Sequence, residues 1–122
     1  MKKLACLGLV GMFLMADPGG SGTVEERKPE RASVTGFGQL SFADRFEGRK
    51  RALAMAIGNG RSYLGLYVFD RRGNCVAWDD YSGSVVGRDD LAVEWYPPET
   101  ADYDIEVHNF SAGSNNVNFV IR

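Results

Sequence analysis

Four aspartates bracket one short stretch of the chain: Asp79 and Asp80 open it, YSGSVVGR fills it, and Asp89 and Asp90 close it. Calcium takes about six to eight oxygens from carboxylates and backbone carbonyls, and a glycine-containing loop can bend to supply them. If the two ends of the stretch meet in the fold, Asp79, Asp80, Asp89 and Asp90 are candidate calcium ligands. Four like charges gathered there would call for a cation, or for the nearby Arg88, to balance them. The spacing is not that of an EF-hand loop. The competing reading is turn chemistry, because an aspartate side chain accepts hydrogen bonds from backbone N–H groups close by in sequence. Tyr81 begins the stretch and is the candidate ligand-binding residue. A ring beside carboxylates can stack on the apolar face of a sugar or a peptide while the carboxylates take hydroxyl or amide donors.

Other site chemistry is thin. A hydrolytic triad needs a base positioned beside a nucleophile, and the one histidine is His108, flanked by Val107 and Asn109 with no nucleophile-elbow motif nearby. It reads as a solvated histidine on the polar face of a strand. One histidine and Cys75, which lies in the apolar run NCVAW, cannot complete a zinc shell. Cys75 reads instead as a small buried hydrophobe. Gly36-x-Gly38 and Gly58-x-Gly60 lack the Lys and Ser/Thr of a phosphate loop and read as turns. No catalytic residue is assigned, and calcium is the one candidate cofactor. The net charge of −2, from 14 basic and 16 acidic residues, argues against a nucleic-acid partner. Arg49-Lys50-Arg51 is too small and too outweighed by acid to change that.

The positioning elements follow from the pattern of the chain. Met1-Lys2-Lys3, the apolar run LACLGLVGMFLMA and the small Ala16 have the form of a secretory signal, assigned to residues 1–16. Residues 17–32 are rich in Gly, Pro and alternating charge and read as a flexible linker. The folded domain is assigned to 33–122. Nothing after the signal approaches the roughly 18 apolar residues of a membrane span, so the mature chain is expected to be exported without a transmembrane segment, to the periplasm, the cell surface or the medium. Cys6 would leave with the signal, which rules out an internal disulfide.

Within 33–122 the periodicity is that of strands. Leu53, Met55 and Ile57 alternate with alanines, and Asn59-Gly60 separates them from Tyr63–Phe69. An Asn-Gly pair between two such runs signals a β-hairpin. Residues 49–57 are good helix formers, yet the run is short and held between Gly48 and Gly58, so a strand is assigned. Leu64, Leu66 and Val68 share one face of the next strand, and Tyr63, Tyr67 and Phe69 the other. Asp70–Asn74 is a turn with Gly73 at the left-handed position. Leu91, Val93 and Trp95 face a core, Pro97-Pro98 ends their strand, and Tyr103, Ile105 and Val107 alternate with Asp104, Glu106 and His108. Val117, Phe119 and Ile121 close the chain in the same way. The expectation is an all-β protein, one antiparallel β-sandwich of about six to eight short strands.

Several of these residues form a known pattern. Leu64-x-Leu66-x-Val68-x-Asp70 with Gly73, then Val76-Ala77-x-Asp79-Asp80, Leu91-x-Val93 and Pro97-Pro98-x-Thr100-x-x-Tyr103-x-Ile105-x-Val107 resemble the bacterial pre-peptidase C-terminal domain, with Phe46-Glu47-Gly48 fitting its opening. Asp102 stands where that family has a glycine before the tyrosine. The resemblance implies a small jelly-roll-like sandwich, generally non-catalytic, associated with secretion, with substrate or surface binding and in some members with calcium. The expected function is therefore an exported binding or accessory module whose partner is an extracellular or envelope protein or a polysaccharide. The alternative is a structural or assembly component of the cell envelope. A small secreted hydrolase comes third and would need a pocket holding His108 beside an acid.

Overall fold

Alternating side chains sort the strands into two layers. The structure, a computed structural model, describes residues 30–83 and 88–122. The signal peptide and residues 17–29 of the linker lie outside the described residues. Eight strands follow in order: β1 (Arg31–Val34), β2 (Gln39–Phe46), β3 (Ala52–Ile57), β4 (Leu64–Phe69), β5 (Cys75–Asp80), β6 (Asp90–Trp95), β7 (Ala101–Asn109) and β8 (Asn115–Ile121). One sheet has the order β1-β8-β3-β6 and the other β2-β7-β4-β5. All neighbours are antiparallel. The expected β-sandwich is the fold, and the run of helix formers is strand β3. Arg31 and Ala32, assigned to the linker, instead pair with Asn118 and Val117 on β8.

The core lies between the sheets. Leu64, Leu66, Val68, Ile105, Val107 and Val117 are wholly buried there. Phe46, Trp95 and Tyr103 form an edge-to-face cluster, with Phe46 and Trp95 centroids 4.8 Å apart. These large rings decide which face of β3 turns inward. Ala52, Ala54 and Ala56 are buried, while Leu53, Met55 and Ile57 lie half-buried on the outside. Ala52 sits beside Trp95 in the ladder, and Ala56 lies between Leu91 and Phe119. Small residues beside large ones keep a two-layer core at close-packed density.

The Asn59-Gly60 hairpin does not form. β3 pairs with β6 and β8, whereas β4 pairs with β5 and β7, so residues 58–63 cross from one sheet to the other. Gly60 does take a positive φ of 87°, but the turn is closed by side chains from distant loops, not by a facing strand. The turn at Asp70–Asn74 has the expected shape, with Gly73 at φ 88°. The Asp70 Oδ1 accepts from the N–H groups of Arg72 and Asn74, each at 2.9 Å. β4 is buried on both faces. Its outward Tyr67 and Phe69 make a small second cluster with Cys75 and Trp78, which leaves Cys75 half-buried.

Candidate functional site

Antiparallel strands gather alternate connections at one end of the sandwich. Here residues 35–38, 58–63, 81–83, 88–89 and 110–114 share that pole, because Val34 pairs with Asn115, Leu64 with Asn109 and Gly65 with Asp80. Hydrogen bonds knit the loops together. The Phe37 N–H donates to the Ser111 carbonyl at 2.8 Å, and the Phe110 N–H donates to the Tyr63 carbonyl at 2.7 Å. The Ser111 hydroxyl accepts from the Tyr63 N–H at 2.9 Å. The amide of Asn109 donates to the carbonyls of Val34 and Gly113 at 3.1 and 2.8 Å.

Three of the four aspartates accept hydrogen bonds from backbone N–H groups at or near this pole. Asp89 is buried, and its Oδ2 accepts from the Gly60 N–H at 2.5 Å and the Asn115 amide at 3.1 Å. Asn115 in turn accepts from the Asn59 N–H at 2.9 Å. A Cβ on Gly58 would stand 2.6 Å from the same carboxylate oxygen, so only glycine fits against Asp89. Asp80 Oδ1 accepts from the N–H and hydroxyl of Ser82 and from the Gly83 N–H at 2.8–3.1 Å. Asp79 Oδ2 accepts from the Ala92 N–H at 3.2 Å, tying β5 to β6 across the sheets. Asp90 begins β6 beside Ile57. Among the described residues no three of His, Cys, Asp and Glu come together as a group that could hold a metal ion.

Tyr81 stands at the centre of an exposed ring cluster. Its ring lies 5.0 Å from that of Tyr63 and 5.8 Å from that of Phe110. The three are 42%, 45% and 43% exposed. The Arg88 guanidinium lies 5.1 Å from the Tyr63 ring centroid, and its Nη2 donates to the Gly60 carbonyl at 2.7 Å. Phe37, on the 35–38 loop of the same pole, is 74% exposed. Its φ of 54° is left-handed, a conformation L-residues other than Gly, Asn and Asp seldom adopt. Sequence reading singled out Tyr81 and missed its grouping with Phe110, the Arg88 guanidinium over Tyr63, and the exposed Phe37. A phenylalanine alone between Gly36 and Gly38 was the available signal, since a large ring on a turn has no core to enter.

His108 is not solvated. It lies on the outward face of β7 but is 8% exposed, and its Nε2 is 3.0 Å from Oε1 of Glu106, which is fully buried. Glu106 Oε2 has no hydrogen-bond partner. The cover comes from other strands and the following loop: the Tyr67 ring meets His108 edge-on at 5.4 Å, and Phe110 stacks on it at 6.2 Å. Gly65 is the floor beneath them, where a Cβ would stand 2.7 Å from the Tyr67 hydroxyl and 2.9 Å from the Phe110 ring. A histidine with a nearby acid is thus present, but it is sealed. Among the described residues no hydroxyl or thiol is hydrogen-bonded to it as a nucleophile would be. Asp102, at the position where a glycine was expected, forms an ion pair with Arg45 at 3.0 Å.

No protein-family model matches the chain, and no curated protein matches it in sequence. Solved structures do match in fold. The pre-peptidase C-terminal domain of a collagenase from Bacillus anthracis superposes with a TM-score of 0.58 at 12% identity, covering 79% of this chain and 99% of that one. A periplasmic inhibitor of g-type lysozyme from Aeromonas hydrophila gives 0.51 at 15% identity, covering 75% of this chain and 82% of that one. The resemblance expected from the sequence therefore holds at the level of the fold: this chain is a small antiparallel β-sandwich similar in fold to a pre-peptidase C-terminal domain.

Proposed function

We propose that the chain is an exported, non-catalytic binding module that grips a protein partner through the loop pole. The observation that carries this reading is the set of exposed rings of Phe37, Tyr63, Tyr81 and Phe110, mounted on loops otherwise made mostly of Gly, Ser and Asn beside an ordered arginine. Rigid aromatics supply contact area at little entropic cost, small polar residues adapt around them, and Tyr and Arg dominate the energetics of protein interfaces. Phe37 strengthens the reading, because its ring is 74% exposed on the turn and adds nothing to the core. The similar folds support a non-catalytic role, since one belongs to a domain of a collagenase and the other to an inhibitor of an enzyme. The periplasmic setting of that inhibitor also supports export. Among the described residues no helix is long and apolar enough to cross a membrane.

Site-specific photocrosslinking in cells tests the proposal. A benzophenone side chain at position 81 should give a discrete adduct with one protein, whereas the same probe at Tyr96, exposed at the opposite pole, should not. Equal labelling from both positions would overturn the reading, as would adducts formed only with a second copy of the chain. Adducts with polysaccharide in place of protein would transfer the pole to a carbohydrate-binding role.

A further inference from the structure

One side of the sandwich is closed and the other is uneven. β5 and β6 meet on the closed side, where Asp79 accepts from the Ala92 N–H. On the other side the eight residues of β2 stand across from only four of β1, which pairs with β8 from Asn115 to Asn118 and no further. Beyond Asn118 the core is incompletely covered. Phe42 and Ile121 are half-buried there, and Phe42 meets Phe119 edge-on at 5.2 Å. A recess of about 360 Å³ opens at this place, its lining including Asp44, Phe46, Ala52 and Ile121. Arg122 exchanges both backbone bonds with Leu53 on β3, at 3.0 and 3.1 Å, and the Phe119 N–H donates to the Glu30 carbonyl at 3.0 Å. Backbone groups alternate sides along an antiparallel strand. The N–H and C=O of Ile121 therefore point to the β1 side, where no described strand pairs with it.

Asp44 adds a second, independent observation. It lies in phase with Phe42 and Phe46 on the core-facing side of β2, beside Tyr103 in the ladder. It is half-buried, and among the described residues it has no cation partner. Three nearby cations are committed elsewhere: Arg45 to Asp102, Lys50 to Glu47 and Arg51 to Glu94. Arg122 is out of phase with the inward Phe119 and Ile121.

We infer that the occupant of this edge is the chain's own Arg27-Lys28-Pro29, continuing β1 along β8. The register that sets Arg31 beside Asn118 carries on to set Lys28 beside Ile121, so Lys28 takes up both backbone groups that Ile121 presents. Lys28 is also in phase with Ala32 and Val34, the inward residues of β1. Its methylene stem covers Ile121 and Phe42, and its ammonium reaches Asp44. Pro29 fits twice over. Its missing N–H falls at the position turned away from β8, where an edge strand tolerates proline, and it holds Lys28 to extended conformations. The same proline blunts the outer edge of β1 against a further strand. This inference is independent of the loop pole.

The experiment is amide hydrogen exchange of the full chain, followed by NMR. The Ile121 and Lys28 amides should exchange at least about tenfold more slowly than those of an unstructured chain, at rates independent of protein concentration. Lys28→Pro, which sets a proline ring against β8, should release the Ile121 amide. The Phe119 amide, bonded to Glu30, should stay protected in that variant, which controls for loss of fold. Lys28→Glu and Asp44→Lys should each lower the melting temperature by about 2–5 °C, and the swapped double variant should recover most of the loss. An Ile121 amide that exchanges at the unstructured rate would overturn the inference, as would additive effects of the two charge reversals. Protection that grows with concentration would assign the edge to a second copy of the chain and overturn it as well.

Discussion

Removing the imidazole of His108 leaves Glu106 fully buried with neither carboxyl oxygen partnered, since Oε1 faces His108 and Oε2 faces no donor. Breaking a buried pair from one side costs about 3–5 kcal/mol. A sandwich of roughly 90 residues holds about 5–13 kcal/mol in total, so His108→Ala should remove a large fraction of its stability. At about 4–8 °C per kcal/mol the melting temperature should fall by roughly 12–40 °C. Exchanging both members for leucine places apolar side chains against Tyr67 and Phe110 and removes both desolvation penalties. That double change should be near neutral, or stabilising by about 1–4 kcal/mol. Urea unfolding at neutral pH of the wild type, His108→Ala, Glu106→Leu and the double leucine variant gives the energies, with calorimetry as a check. The double variant should be far more stable than the single changes predict by addition. An additive cycle, or a His108→Ala cost within about 1 kcal/mol, would refute the reasoning, because it would mean the carboxyl reaches water after all.

Phe37→Asn keeps a residue that tolerates positive φ and removes a ring that is 74% exposed, so its unfolding midpoint should stay within about 1 kcal/mol of wild type. The same change should weaken crosslinking from position 81. Burial raises the Tyr103 phenol above its ordinary 10.0, and the charge of Asp70 raises it further. The folded state therefore keeps this proton longer than the unfolded chain, and stability should fall as pH climbs past about 10; Tyr103→Phe should flatten that limb of a melting-temperature profile. Asp89→Ala strands the Gly60 N–H and the Asn115 amide beside an emptied site, and should cost about 1–3 kcal/mol in denaturant. Melting in calcium against EDTA separates two roles for the acidic stretch. An ion on Asp79, Asp80, Asp89 and Asp90 at 100 times its Kd would add about 2.7 kcal/mol, a rise of roughly 10 °C or more that Asp90→Asn should abolish. Coincident curves are expected from the turn-acceptor role, which the bonds to Asp80 and Asp89 favour.

Local patterns carried the strands and one face of the core. Tyr103, Ile105 and Val107 point inward as their alternation requires, and Trp95 lies in phase with Leu91 and Val93. Alternation says which residues share a face but not which face is covered. Glu106 and His108 do lie on the polar-patterned side of β7, yet Tyr67 and Phe110 close over them, and that depends on β4 being the neighbour. The inward turn of the β3 alanines likewise depends on the rings they face across long sequence separations. Asn59-Gly60 correctly marked a sharp turn, but a turn does not reveal whether the next strand joins the same sheet. The site was legible as single residues. Tyr81 could be chosen from its loop, whereas its grouping with Tyr63 and Phe110 comes from the antiparallel order that collects alternate loops at one pole.

The edge strand β1 also gives the molecule a front and a back. The chain enters the sandwich at Glu30, whose carbonyl accepts from the Phe119 N–H, and runs along β1 toward the rings. At the other end Arg122 pairs with Leu53, near the start of β3 and far from the loops. Both ends of the described chain thus leave from the side or rear of the domain. A carrier, a surface or a fused enzyme attached at either end would hold the rings facing outward and unobstructed.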